Sequence, residues 1–157
     1  MSILKVDTLQ PATASGVHIA GHVVQVARGT LSAVTSTTST SYIASGLGAT
    51  ITPKLSTSKL LISVNVARPS LPNTGIQLDF KLYEGSSALD GNRLGSLYHN
   101  TGSGAIYFGS TAYNLYLNAT NTNARTYNLY YRATGGTVNL NDATDIESSM
   151  TIMEIAQ

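Results

Sequence analysis

Residues 59–67 read KLLISVNVA, and residues 76–85 read IQLDFKLYEG. In the first stretch Leu60, Ile62, Val64 and Val66 share one side of an extended chain, while Leu61, Ser63 and Asn65 share the other. The second stretch repeats the pattern, with Ile76, Leu78, Phe80 and Leu82 inward and Gln77, Asp79, Lys81 and Tyr83 outward. Strict alternation is the signature of a strand with one buried face. Between the two, RPSLPNTG (68–75) carries two prolines and Asn-Thr-Gly, which mark a loop.

Working outward, HVVQVARGTL (22–31) is rich in β-branched residues and ends in a turn-prone Arg-Gly. The Thr/Ser-rich run 35–53 is punctuated by Tyr42, Ile43, Leu47 and Ile51, and predicts two short strands around an SGLG bend. Residues 86–104 are turn-rich and contain Asp90-Gly91. AIYFGST and AYNLYLNAT (105–120) predict a strand pair, and RTYNLYYRA (125–133) places Tyr127, Leu129 and Tyr131 on one side. TVNLN (137–141) follows a Gly-Gly turn. SSMTIMEIAQ (148–157) carries large apolar groups on both faces, which predicts a central strand or one at a subunit interface. No stretch shows a 3.6-residue period with good helix formers. The fold class expected is all-β, a β-sandwich or jelly-roll-like domain over residues 17–157. An extended arm and linker, residues 1–16, precedes it.

Composition fits that reading. Charged residues are 11% of the 157, and the net charge is +1, against a usual charged share of about a quarter. The polar content is instead Ser, Thr, Asn and Gly, which disfavour helix. So few charges leave a surface poorly protected against association. Basic residues stand singly, so the footprint of nucleic-acid binding is missing. No apolar run approaches the roughly 20 residues of a membrane helix, and Asp7 interrupts what would otherwise resemble a secretory leader. Zero cysteines exclude disulfides and zinc thiolates.

Catalytic chemistry has no clear carrier. His18 and His22 would share one side of a strand, and no third metal ligand stands near them. NDATDIE (141–147) gathers Asp142, Asp145 and Glu147 without the glycine and spacing of a known calcium loop. GSGAIYFGS (102–110) lacks the strand-then-helix setting of a phosphate cradle. The reading is therefore non-enzymatic, with no cofactor and no metal. Nine tyrosines, against two phenylalanines and no tryptophan, are the more telling set. Tyr113, Tyr116, Tyr127, Tyr130 and Tyr131 are expected on adjacent strands, where such side chains serve sheet rims, interfaces or glycan stacking. Tyr127, Tyr131, Met150, Ile152 and Ile155 are the residues expected at a subunit interface.

The segments MSILKVDTLQ (1–10), GHVVQV (21–26), TSTSYIASGLGATITPKLSTSKLLISVNV (38–66), TYNLYYRATGGTVNLN (126–141) and SSMTIMEIAQ resemble small structural proteins of tailed bacteriophages, especially those of cyanophages and other marine phages. The resemblance implies a compact β-rich trimer in the virion and carries no catalytic residues. Under it, the arm residues Ile3, Leu4, Val6 and Leu9 pair with an exposed sheet edge on a neighbouring subunit, on the major capsid protein or on another virion protein. The expected role is a cement or decoration protein on the capsid exterior that bridges capsid subunits. A short tail fibre or receptor-binding module that recognises host glycan is the alternative. No membrane and no direct nucleic-acid partner is expected.

Overall fold

A computed structural model describes residues 19–89, 94–100, 102, 104–143 and 145–157. The arm residues Ile3, Leu4, Val6 and Leu9, His18 and the Asp90-Gly91 turn lie outside them. The described residues contain strands and turns and no helix: β1 (Val23–Leu31), β2 (Thr35–Thr37), β3 (Ile43–Ile51), β4 (Lys59–Val66), β5 (Ser70–Leu71), β6 (Ile76–Glu84), β7 (Ser87–Ala88), β8 (Gly95–His99), β9 (Ile106–Tyr107), β10 (Thr111–Asn118), β11 (Arg125–Ala133), β12 (Val138–Leu140) and β13 (Ser148–Ile155). All pairings are antiparallel.

Three sheets result. The first has the order β1-β13-β4-β10; the second runs β3-β11-β6-β7, with β8 also on β6; a small third sheet is β2-β12-β5-β9. The alternation in β4 and β6 sets the packing. Leu60, Ile62, Val64 and Val66 of the first sheet, and Ile76, Leu78, Phe80 and Leu82 of the second, are buried in one core. Met150 and Ile152 from β13, and Tyr127, Leu129 and Tyr131 from β11, complete its two walls, while Leu71, Val138 and Leu140 of the third sheet join it. Burying side chains of this size contributes roughly 1.5–3 kcal/mol each before entropy is charged against it. The all-β sandwich expected from the alternation is the fold observed.

The two long sides of the sandwich differ. On one side β1 lies against β3 with glycine facing glycine. A Cβ added to Gly29 would overlap the Gly48 carbonyl oxygen, and one on Gly48 would meet the Asn128 side chain and the Tyr127 carbonyl. Small residues here let the two sheets close on each other. On the other side stand β10 and β8. There the Tyr113 ring lies over Gly95, where an added Cβ would overlap it, and reaches Phe80 at 5.5 Å between centroids. Burial of Tyr113 raises its phenol above the usual value.

Three local readings change. The SGLG segment is not a bend between two strands. β3 runs through it, and the register slips between Asn128↔Gly48 and Tyr130↔Ala44. Gly46 takes the left-handed backbone (φ 87°) that this bulge needs, and Ser45 Oγ fills the gap by donating to the Leu129 carbonyl at 2.7 Å. Residues 105–120 do not pair with each other either: β9 joins β5, and β10 joins β4. Finally, Tyr113 and Tyr116 belong to the first sheet and Tyr127, Tyr130 and Tyr131 to the second, so these tyrosines are not on adjacent strands.

Two buried polar groups fasten the loops at the sheet ends. Asn141 is fully buried with φ 53°, a conformation Asn tolerates better than most residues. Its amide donates to the carbonyls of Leu31 (2.6 Å) and Ala33 (3.1 Å), and its oxygen accepts from Ser148 Oγ. Ser148 Oγ in turn accepts from the Ala67 N–H. At the opposite end of β13, Glu154 is buried on the core side. It accepts from the N–H groups of Lys54 and Leu55 (both 2.9 Å), from Ser58 Oγ (2.7 Å) and from Gln25 Nε2 (2.6 Å). Desolvation works to raise this carboxyl, but the hydrogen bonds from Lys54, Leu55, Ser58 and Gln25 outweigh it and hold the group below its ordinary value.

Candidate functional site: two outward sheet faces

The outer face of the first sheet follows from the registers. Val26 pairs with Met153, Met153 with Leu61, and Leu61 with Tyr116. Each of these is the outward member of its strand, so one apolar row crosses all four strands. Val26 is 57% exposed and Tyr116 56%, while Met153 and Leu61 are half-buried. Val23 and Ile155, paired on β1 and β13, extend the row toward the sheet end. The rows on the other side are polar: Arg28, Thr151, Ser63 and Asn114, then Thr30, Ser149, Asn65 and Ala112. Ser63 donates to Asn114 at 2.6 Å, and Arg28 meets Glu147 at 2.8 Å on the surface. Lys59 bonds Asn118 and stands 5.8 Å from the Tyr116 ring centroid.

The outer face of the second sheet has a different chemistry. Arg132 of β11 and Asp79 of β6 are cross-strand partners, joined by Nε and a terminal guanidinium nitrogen, each 3.0 Å from the same carboxylate oxygen. Asp79 is fully buried beneath this pair and also accepts from Gln77 Nε2 at 2.7 Å. Two cations stand over the Tyr42 ring, the Arg132 guanidinium at 4.8 Å and the Lys81 ammonium at 5.2 Å from its centroid. Beside them Tyr83 and Tyr130 stack at 3.9 Å between centroids, 26° apart in plane. Tyr98 of β8 is exposed nearby, cross-strand from Gln77. The result is an aromatic and cationic patch with hydrogen-bonding groups around it.

The residues expected at a subunit interface are redistributed. Tyr127, Tyr131, Met150 and Ile152 sit in the chain's own core, at 0–2% exposure, and so offer no contact surface. The reason is the strand period: β13 presents large apolar groups on both faces, and the half facing inward is Met150 and Ile152, not Met153 and Ile155. Ile155 is half-buried on the outward face. β13 is central in its sheet, between β1 and β4, but it is not buried from both sides. Burial raises the Tyr127 phenol; Arg125 acts to lower it and the Glu84 carboxylate to raise it. For Tyr131 burial is again the larger influence.

Of the polar clusters weighed in the sequence, Asp142 is taken up structurally, accepting from Ser70 Oγ and from Asn139 Nδ2 at 3.3 Å. Glu147 faces Arg28. Among the described residues no group of three or more His, Asp or Glu side chains is placed to hold a metal ion. His99, which the sequence reading passed over, is buried with Nδ1 3.3 Å from the Leu71 carbonyl oxygen. The Tyr42–Arg132–Asp79 cluster also escaped that reading. Its one signal was an acid at an outward position of a β strand, facing an Arg in another outward position. A comparison with protein-family models finds none that matches the chain, and a comparison with curated proteins finds no match either.

Proposed function

We propose that the chain is a non-enzymatic structural protein of a tailed-phage virion. In this reading it is a cement or decoration protein that works as a homotrimer on the capsid exterior and bridges capsid subunits. The sequence resemblance supplies the setting. The observation that carries the assembly role is the apolar row Val26–Met153–Leu61–Tyr116 across an open sheet face. Its flanks are mostly Ser, Thr and Asn, with Arg28 held by Glu147 on one side and Lys59 beside Tyr116 at one end, so the row is an apolar strip rimmed by polar groups, as a protein-contact surface is. A rigid antiparallel body of this kind transmits load between the proteins it touches without a moving part.

The test is where the protein sits and in how many copies. Purified particles are fractionated into heads and tails, and the chain is quantified in each by gel densitometry. Many copies per head support the reading; a few copies confined to tails contradict it. Double substitution of Val26→Asp and Met153→Lys is expected to leave a folded protein that no longer adds to heads lacking it.

A second reading has its own support. The Tyr42 ring in contact with Arg132 and Lys81, with the stacked Tyr83–Tyr130 pair beside it, combines aromatic faces with hydrogen-bond donors, as a glycan-binding surface does. That patch would serve a receptor-binding module. Binding of host-surface glycan, lost in Tyr130→Ala with the fold intact, would favour it.

A further inference from the structure

The free edge of the first sheet points to a specific self-contact, which rests on the assembly role proposed above. β10 pairs only with β4 among the described residues, so its other edge is open. The strand is eight residues long, TAYNLYLN, with no charge and no proline. Protected edges normally carry one or the other. Its inward residues are also incompletely covered. Tyr113, Leu115 and Leu117 are half-buried, whereas their β4 partners Val64, Ile62 and Leu60 are at 0–1% exposure. The neighbouring Leu89, Leu94 and Leu97 are partly buried as well. One more strand at this edge would take up the open backbone groups and cover the leucines together.

The chain carries a segment of suitable length and pattern for this. Residues 2–9, SILKVDTL, match β10 in length. In extended form Leu4, Val6 and Thr8 fall on one side and Ile3, Lys5, Asp7 and Leu9 on the other, so one face suits Leu115 and Leu117 while Lys5 and Asp7 stay with Asn114, Tyr116 and Asn118 in solvent, and Ile3 and Leu9 lie on that same outer face, which Tyr116 makes partly apolar. The described chain starts at the opposite edge. The Gly21 N–H donates to the Ala156 carbonyl (2.8 Å), and the Ala156 N–H to the His22 carbonyl (3.0 Å), which sets the entry beside β13 and β1. The chain's point of entry and the open strand thus stand at opposite edges of one sheet, which suits a head-to-tail contact between copies, one that forms a ring where its rotation closes. Residues 10–18 give a tether of about 30 Å when extended. We infer that residues 2–9 of one copy add as a strand to the open edge of β10 in the next copy.

The absence of cysteine makes the test clean. Full-length chains carrying Lys5→Cys or Asp7→Cys are mixed with chains carrying Asn114→Cys or Tyr116→Cys, and are oxidised without denaturant. The expected result is a disulfide-linked pair of unlike chains in at least one mixture. The matching double variants should give a covalent ladder ending at the trimer. Circular dichroism melts of each variant, unchanged from the parent, establish that the fold is kept. A double variant bridged only within one chain would overturn the inference in favour of a self-docked segment. Efficient dimerisation of Asn114→Cys alone would overturn it in favour of β10-to-β10 pairing, and no cross-link in any combination would overturn it outright. The outcome is read on purified protein. Cross-linking by a chain that never appears on heads would therefore defeat the capsid role and leave the edge contact standing; the reverse result would defeat the contact alone.

Discussion

Gly29 of β1 and Gly48 of β3 cross backbone against backbone, so closely that a side chain on Gly29 would occupy the position of the Gly48 carbonyl oxygen. Neither glycine is required for its φ; Gly29 makes room for the backbone of β3, and Gly48 for Asn128 and Tyr127 of β11. This crossing closes one side of the sandwich and leaves β10 and β8 as the open one. Gly29→Ala is expected to destabilise the chain by about 3 kcal/mol, because strands on both sides must move. Gly109, with nothing within 4 Å of an added Cβ, is the control, and its Ala variant should stay within about 0.5 kcal/mol of the parent. Urea unfolding monitored by circular dichroism measures both.

Glu154 makes the stability of the fold depend on acid. Its folded-state value lies below the ordinary one of 4.5, so the unfolded chain binds the proton more readily. The contribution is therefore present in full above about pH 4.5 and is lost as pH falls through the lower, folded value. Glu154→Gln should remove this acid-dependent part. Near neutral pH it should cost about 2 kcal/mol, since Lys54, Leu55, Ser58 and Gln25 lose a charged acceptor. Melting curves from pH 3 to pH 7 on both proteins decide the point. Parallel profiles would contradict the assignment.

Arg132 is expected to matter more for stability than its position on an outer sheet face suggests. Asp79 beneath it is fully buried, and Arg132→Ala would remove a cation that pairs with it through two nitrogens. With the guanidinium about a third exposed, a cost of about 2 kcal/mol follows. Arg132→Lys keeps a charge but loses the paired geometry at the carboxylate, and should fall between the two. Chemical denaturation of the three proteins provides the comparison.

The two faces of β13 should separate cleanly on substitution. Ile152→Asp puts a carboxylate in the core and is expected to unfold the chain, whereas Met153→Asp, one residue on, should change stability by about 1 kcal/mol or less. Far-ultraviolet circular dichroism of the purified variants reads this directly.

The same strand shows how far the sequence could be read. In β4 and β6 one face is apolar and the other polar, so alternation alone fixes which side is buried, and the core membership of Leu60, Ile62, Phe80 and Leu82 was legible. In β13 Met150, Ile152, Met153 and Ile155 make both faces apolar, and only the pairing with β1 and β4 decides between them. β11 misled in another way. Tyr127 and Tyr131 suggest a wet rim, yet their inward register buries them, while Tyr130 faces out and stacks on Tyr83. Long-range pairing was the unreadable part. Nothing local says that β10 joins β4, that β9 joins β5, or that SGLG is a bulge opposite Leu129, because each depends on residues tens of positions away.

The most direct measurement for the account as a whole is an image reconstruction of the purified phage particle at a resolution that shows strands. The account predicts threefold density for this helix-free body on the outer capsid surface, with the sheet of β1, β13, β4 and β10 turned toward the proteins it binds. Density for the chain only at the tail tip, or none on the particle, would contradict it.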